Sequence, residues 1–181
     1  GSSFAGADLR KTVFRMSNLT STNLQYADMR GADLRATELK GANLGRSDLR
    51  KAKLNAADLS RASLIGVDLR GADLSGVVFR RARIINSDLR DTVLDLVDFR
   101  EATLKQVLLP EDVDPNILPA NYKSITEEEF SLVFERRKDI YLEAPSEGVS
   151  LLEQLLAPLV DELDEAQPVD VEDPLTEEVN E

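Results

Sequence analysis

The sequence predicts an all-β solenoid, a quadrilateral β-helix followed by a small α-helical C-terminal extension. Two periods predict this fold. A large apolar residue recurs every five positions from Phe4 to Leu109 without a break. An Asp-x-Arg triplet with Leu or Met at its centre recurs every twenty positions, and a fixed period this long sets the architecture of a chain. The triplets are Asp8-Leu9-Arg10, Asp28-Met29-Arg30, Asp48-Leu49-Arg50, Asp68-Leu69-Arg70 and Asp88-Leu89-Arg90.

The period of five excludes any straight element. On an α-helix, successive large residues would drift by about 140° and wrap the whole cylinder. On a flat strand, they would alternate between the two faces. All of them share one interior only if the chain turns once in every pentapeptide. A small residue (Ala, Ser, Thr or Val) stands two positions before each large one, and we expect both to point inward.

The period of twenty gives the number of sides. Twenty residues are four pentapeptides, so one coil has four sides and equivalent residues stack on the same side. The repeat from residue 2 to 110 then makes about five and a half coils. With about 4.8 Å between stacked strands, the rod is on the order of 25 Å long.

The repeated unit resembles the pentapeptide-repeat family, whose motif is A-(D/N)-L-x-x. The resemblance covers residues 2 to 110 and implies a right-handed quadrilateral β-helix. It does not imply an activity, because a fold alone does not define a function. Good copies of the motif begin at Ala7, Ala27, Ala32, Ala42, Ala57 and Ala72.

Charge divides the chain into two parts. Residues 1–110, the predicted β-helix, hold 18 Lys or Arg against 13 Asp or Glu, a net charge of +5. Residues 111–181 hold 4 against 21, a net charge of −17. This asymmetry is typical of a chain with an interacting acidic tail. Because the repeat is already in register at Phe4, we expect it to extend further toward the N-terminus in the natural protein.

The part after the repeat divides into three segments. Residues 111–123 contain Pro115 and Pro119 and are predicted to form a linker. Residues 124–166 are predicted to hold two helices, at about 124–142 and 150–165, with Ser124 as one candidate N-cap. Residues 167–181 form an acidic tail. The helices are expected to cap the open end of the solenoid, or alternatively to form a homodimer, through Phe130, Phe134, Leu152, Leu155, Leu156 and Leu159.

The Asp-x-Arg ladder is the most regular predicted surface feature. Its five arginines would repel one another, and the parallel row of aspartates neutralises them. We interpret the ladder as a surface ion-pair network. The alternative is a strip that grips an anionic partner, but the aspartates would repel phosphates, so direct nucleic-acid binding is not expected. The candidate strip consists of Arg10, Arg30, Arg50, Arg70 and Arg90.

The neighbouring side is mostly uncharged. Ile65 and Ile85 follow core positions on adjacent coils, and we expect both to stand exposed. They are either scattered apolar surface residues, which are normal, or a docking site for the C-terminal helices or a partner.

The residue types argue against catalysis. The chain has no His and no Cys, and the repeated aspartates are expected on a convex surface that cannot desolvate them. We therefore expect no enzyme activity, no cofactor and no metal site.

We expect a non-enzymatic scaffold that binds another protein. The alternative is a DNA mimic that inhibits or protects DNA gyrase or a related topoisomerase, a function that the resemblance to the pentapeptide-repeat family implies because some of its members have it. The net positive charge of the rod argues against mimicry. The chain is expected to be cytoplasmic, to lack a membrane span, and to be a monomer or a C-terminal homodimer.

Overall fold

The computed structural model describes residues 2–120 and 122–124 as a parallel β-solenoid. Backbone bridges join residues twenty positions apart, from Ser3↔Asn23 through to Asp88↔Leu108, and all of them are parallel. Most coils contain four two-residue turns, and a residue with positive φ stands at every corner, so each coil has four sides, as the two sequence periods predict. The predicted all-β solenoid is thereby confirmed, while the number of coils stays a prediction.

Regular elements appear where the bridges run together. Strands β1 (Ser63–Ile65), β2 (Arg83–Ile85) and β3 (Thr103–Val107) stack in parallel on one side of the solenoid. A 3-10 helix follows at Pro115–Ile117. Strand β4 (Lys123–Ser124) then adds to β3 in parallel.

The chain turns at every fifth residue by one repeated device. The residue two positions after each core residue from Phe4 to Leu104 is left-handed, and these are fifteen non-glycine residues and six glycines. At Lys11 the φ angle is 56°, and Thr12 N–H donates to Leu9 O at 3.2 Å to close the turn. A left-handed residue with a Cβ costs roughly 1–2 kcal/mol. The corner is held in place from the next coil, because Lys11 N–H also donates to Arg30 O at 3.1 Å.

The interior is a column of the predicted large residues. Most of them are fully buried, with Leu49 and Leu54 each 1% exposed. Phe79 and Phe99 continue the column as a stacked pair with centroids 5.3 Å apart. The small residues also point inward, and buried hydroxyls among them bond to backbone oxygens: Ser47 Oγ donates to Leu44 O at 2.7 Å, and Thr37 Oγ1 donates to Phe14 O at 2.8 Å. Because large apolar and small residues fill the interior of successive coils, the repeat produces one continuous core.

The segment after the repeat differs in part from the prediction. Lys123 pairs with Lys105 of β3, so the boundary predicted between residues 123 and 124 falls inside β4. Ser124 belongs to this strand rather than to the predicted helix, because the sheet edge at β3 offers its backbone a partner. The remaining residues of the predicted helices, and the acidic tail, lie outside the described residues.

Candidate interaction surface

The predicted Asp-x-Arg ladder is present and each of its members is bound locally. In every triplet the Arg side chain forks onto the Asp two residues earlier: Arg30 Nε donates to Asp28 Oδ1 at 2.8 Å and Nη2 to Oδ2 at 2.6 Å. The Arg30 backbone N–H donates to the same Oδ1 at 3.3 Å. Two parallel hydrogen bonds between charged groups are the strongest arrangement such a pair adopts.

The pairs also connect from coil to coil. Arg10 Nε lies 3.7 Å from Asp28 Oδ2, and Arg50 Nε lies 3.6 Å from Asp68 Oδ2. Along the ladder the aspartate side chains become progressively more buried, from 60% exposed at Asp8 to 4% at Asp88. The expectation that the repeated aspartates face solvent is therefore wrong for Asp68 and Asp88, because the arginines of successive coils cover them.

This pairing shifts the pKa values of the paired side chains. Hydrogen bonds from Arg10 lower the pKa of Asp8 to about 2. The side chain of Arg30 lowers the pKa of Asp28 in the same way, and the pKa of Arg30 itself is raised by that bond. The guanidinium forks of the ladder are thus occupied by their own carboxylates, which agrees with the interpretation of an ion-pair network.

On the neighbouring side, the expectation that Ile85 stands exposed is wrong. Its side chain is only 6% exposed, and Ile65 is half-buried. Ile85 lies in register between Ile65 of β1 and Lys105 of β3. Side chains on three strands stacked about 4.8 Å apart shield the middle one. This side therefore offers little apolar surface to a partner.

Sequence reasoning missed the apolar residues that are most exposed. Leu96 is 93% exposed and left-handed, with φ 57°, and Val93 on the same side is 45% exposed. Val13 and Met16 occupy the equivalent positions near the other end, at 70% and 76% exposed. The signal was present: Met and Leu stand at corner positions of this column, where the other coils carry Ala or Gly.

The backbone at Leu96 also has N–H groups that lack a hydrogen-bond acceptor among the described residues. One coil earlier, Leu74 N–H donates to Val93 O at 3.1 Å and Gly76 N–H to Asp95 O at 2.7 Å. The N–H groups of Leu94 and Leu96 donate to no acceptor among residues 2–120 and 122–124. An unpaired strand edge beside exposed apolar side chains is a template for pairing with another chain.

A groove borders this region at the end of the solenoid. Residues 97–102 and 116–120 line a space of about 700 Å³. Phe99 forms part of its floor and is only 2% exposed. Residues 116–120 therefore cover part of the last coil, and the side that carries Leu96 remains uncovered by the part of the chain that is described.

The remaining candidate residues are not placed by the structure. The six predicted cap or dimer residues lie outside the described part of the chain: Phe130, Phe134, Leu152, Leu155, Leu156 and Leu159. Within the described ranges, no helix has the length and apolar character needed to cross a membrane.

Twenty-residue coils stacked by parallel backbone hydrogen bonds define a β-helical repeat protein. The sequence profile for pentapeptide repeats matches residues 1–35, 37–76 and 78–109 in eight copies. The chain belongs to the pentapeptide-repeat family. Solved members of this family are right-handed quadrilateral β-helices, which agrees with the four turns in each coil seen here.

Among solved structures similar to this chain, that of Rfr23 supports the same fold. The pentapeptide-repeat protein Rfr23 from the cyanobacterium Cyanothece is 21% identical, with a TM-score of 0.58, over 60% of this chain and 88% of that one. A pentapeptide-repeat protein from the Arabidopsis thaliana thylakoid lumen is 26% identical over 59% and 71% of the two chains, with a TM-score of 0.43. QnrB1, a plasmid-mediated fluoroquinolone resistance protein, is 18% identical over 76% and 72%, with a TM-score of 0.35. Among the curated proteins there is no match.

Proposed function

We propose that this chain is a non-enzymatic scaffold that binds another protein through the terminal coil around Leu96. One observation carries the proposal: a leucine that is 93% exposed in a left-handed conformation. At that position a leucine gains almost nothing from burial, and its Cβ makes the backbone conformation costly. Leu96 therefore stabilises the fold little and strains its backbone. A contact between its side chain and a partner protein explains why a leucine stands at this position.

The surroundings of Leu96 fit a protein partner. Val93 extends the apolar surface, and the N–H groups of Leu94 and Leu96 offer two hydrogen-bond donors without an acceptor among the described residues. An extended segment of a partner that adds to this edge satisfies the donors through its carbonyl oxygens and covers both side chains. The ladder serves a different purpose in this proposal, because its arginines are already paired with their own aspartates.

Charge weighs against the alternative of DNA mimicry. A mimic presents free negative charge along its length, whereas the five aspartates of the Asp-x-Arg ladder are each bound by an arginine within hydrogen-bond distance. The part of the chain that forms the repeat is also net positive. We retain the scaffold as the proposal, with a rod of about five and a half coils and a helical extension that caps it or forms a homodimer. The cytoplasmic location stays a prediction.

The test places a photo-cross-linking residue at Asp95, which is exposed and adjacent to Leu96. In the native host, the cross-linker at this position is expected to yield a discrete adduct with another protein. The substitution Leu96→Asn in the same chain should abolish the adduct. A cross-linker at Ser21, exposed at a different corner, is the matched control and should yield none. Equal adducts at both positions, or an adduct that survives Leu96→Asn, would contradict the proposal.

A further inference from the structure

The backbone groups at the edge of the terminal coil fix the register of any segment that adds to it. Between stacked coils, Val93 N–H donates to Ala72 O at 3.3 Å and Leu74 N–H donates to Val93 O at 3.1 Å. On the terminal coil the corresponding groups are Thr92 O and Leu94 N–H, and neither has a hydrogen-bond partner among residues 2–120 and 122–124. A segment that bonds to both places one of its residues, here called position 0, opposite Val93.

The same groups fix the direction of the segment. A hydrogen-bonded antiparallel pair uses the N–H and the C=O of one residue, whereas a parallel pair uses groups from the residues on either side. Leu94 O already accepts from Val97 N–H at 3.4 Å within the turn, so Leu94 has only its N–H to offer. One coil earlier, Gly76 N–H donates to Asp95 O at 2.7 Å, so the next donor, Leu96 N–H, meets the C=O of position 2. The segment therefore runs parallel to the terminal coil, as the coils of the rod run to one another.

This register determines which side chains the segment needs. Residues twenty positions apart stack on one another in the rod. Position 1 therefore points inward over Leu94, which is half-buried, while positions 0 and 3 lie over Val93 and Leu96. These three positions favour apolar side chains. Position 2 lies over Asp95, and position −2 lies next to Asp91.

The two aspartates have charges that the described chain leaves unmatched. Asp91 and Asp95 are exposed, and neither forms an ion pair with any residue in 2–120 or 122–124. The rod shows how a neighbouring coil satisfies such a carboxylate: Arg81 Nε donates to Glu101 Oε2 at 2.6 Å across two consecutive corners. The corner below Asp91 is Gly71, which has no side chain to offer. A basic residue on the added segment supplies the missing partner.

The net charge at this end of the rod also favours a basic segment. Residues 91–120 hold two Lys or Arg against seven Asp or Glu, a net charge of −5. Residues 1–90 hold 16 against 9, a net charge of +7. The terminal coil and the residues after it therefore attract a positive segment that the rest of the rod repels. Attraction of this kind raises the rate at which the two partners meet.

We propose that the terminal coil binds an extended, basic segment of its partner as an additional parallel strand. The segment carries Lys or Arg at positions −2 and 2, and apolar residues at positions 0, 1 and 3. This inference rests on the proposed function and adds to it the chemistry and the register of the partner. The backbone hydrogen bonds hold any extended segment, and the side chains on either side select the basic one.

The rod itself shows that such a sequence fits this side. Residues 11–16, Lys-Thr-Val-Phe-Arg-Met, carry the whole pattern at the equivalent place on an earlier coil. A second copy of the chain is nevertheless a poor occupant. In this register its residues 3–10 would take the place of residues 103–110, which already form the last coil. The segment therefore belongs to a different protein.

The test titrates the isotope-labelled full chain with the peptide Lys-Thr-Val-Phe-Arg-Met, blocked at both ends. The amide signals of Leu94 and Leu96 are expected to shift, whereas those of Leu74 and Gly76, which are already bonded to the next coil, should not. The matched peptide Glu-Thr-Val-Phe-Glu-Met should bind roughly three- to tenfold more weakly, as the loss of two exposed ion pairs predicts. This difference should shrink above roughly 0.5 M salt.

Paired variants separate the two aspartates from the overall charge of the chain. Asp91→Asn with Asp95→Asn should weaken binding of the basic peptide by the same factor and remove the difference between the peptides. Asp8→Asn with Glu38→Gln, an equal change in charge at exposed positions on other sides of the rod, should leave the difference unchanged.

Three results would overturn the inference. They are equal affinities of the two peptides for the unaltered chain, binding without shifts at Leu94 and Leu96, and no binding of the basic peptide. The proposed function fails by a different result, the absence of a cross-linked adduct that depends on Leu96. An adduct of that kind together with equal peptide affinities would leave the proposed function in place and remove only the basic segment.

Discussion

Replacing Leu96 by asparagine should stabilise the protein, which is unusual for a leucine. With 7% of its surface covered, the side chain contributes about 0.1–0.2 kcal/mol through burial, taking about 1.5–3 kcal/mol for full burial of a leucine. The left-handed backbone at φ 57° costs a residue with an ordinary side chain roughly 1–2 kcal/mol. Asparagine tolerates this conformation better, because its short polar side chain bonds locally.

We therefore expect Leu96→Asn to raise the free energy of unfolding by about 0.5–1 kcal/mol. For a chain of this size the gain corresponds to an increase in Tm of about 1–4 °C. Thermal unfolding followed by circular dichroism measures it, with Leu96→Ala as the matched control. Alanine keeps the Cβ and hence the backbone cost, so its Tm should change by less than that of asparagine.

The opposite outcome would refute this reasoning. A loss of about 2 kcal/mol or more in both variants would show that Leu96 is buried in solution by another part of the molecule. In that case Leu96 contributes to the stability of the fold. The contact that covers its side chain is then made by this chain itself rather than by a partner protein.

Three further predictions address the core, titration and charge. Leu49→Ala, at 1% exposed, should cost about 2–5 kcal/mol through lost burial and a cavity, whereas Arg50→Ala should cost under about 1 kcal/mol; comparable losses of Tm would contradict the assignment of inside and outside. The pKa values of Asp8 and Asp33 are lowered to about 2 by Arg10 and Arg35. Their contribution to stability is present above the unfolded pKa of about 3.9 and is lost as pH falls toward 2; Tm measured against pH should fall in this window, and less so in Asp8→Asn with Asp33→Asn. The full chain should fail to inhibit DNA supercoiling by gyrase, and potent inhibition would favour mimicry.

The repeat was readable from sequence because its causes are local and periodic. The five-residue spacing of Leu49 and Leu54 is compatible only with a chain that turns once per pentapeptide, and the twenty-residue spacing of the Asp-x-Arg triplets sets the coil. Burial that arises from the stacking of coils was harder to predict. The burial of Ile85 depends on its neighbours one coil above and below.

The features at the ends of the rod were harder still. The exposure of Leu96 depends on the left-handed corner and on the absence of a described coil above it. The addition of β4 to the sheet depends on a chain path through the prolines that no period encodes.

The central claim is that the terminal coil, and not the ladder, binds the partner. Affinity purification of three full-length chains from the native host tests it most directly: the unaltered chain, Val93→Asn with Leu96→Asn, and Arg50→Gln. The partner retained by the unaltered chain should be lost from the terminal-coil variant and kept by Arg50→Gln. Loss of the partner from Arg50→Gln, with full retention by the terminal-coil variant, would contradict the account.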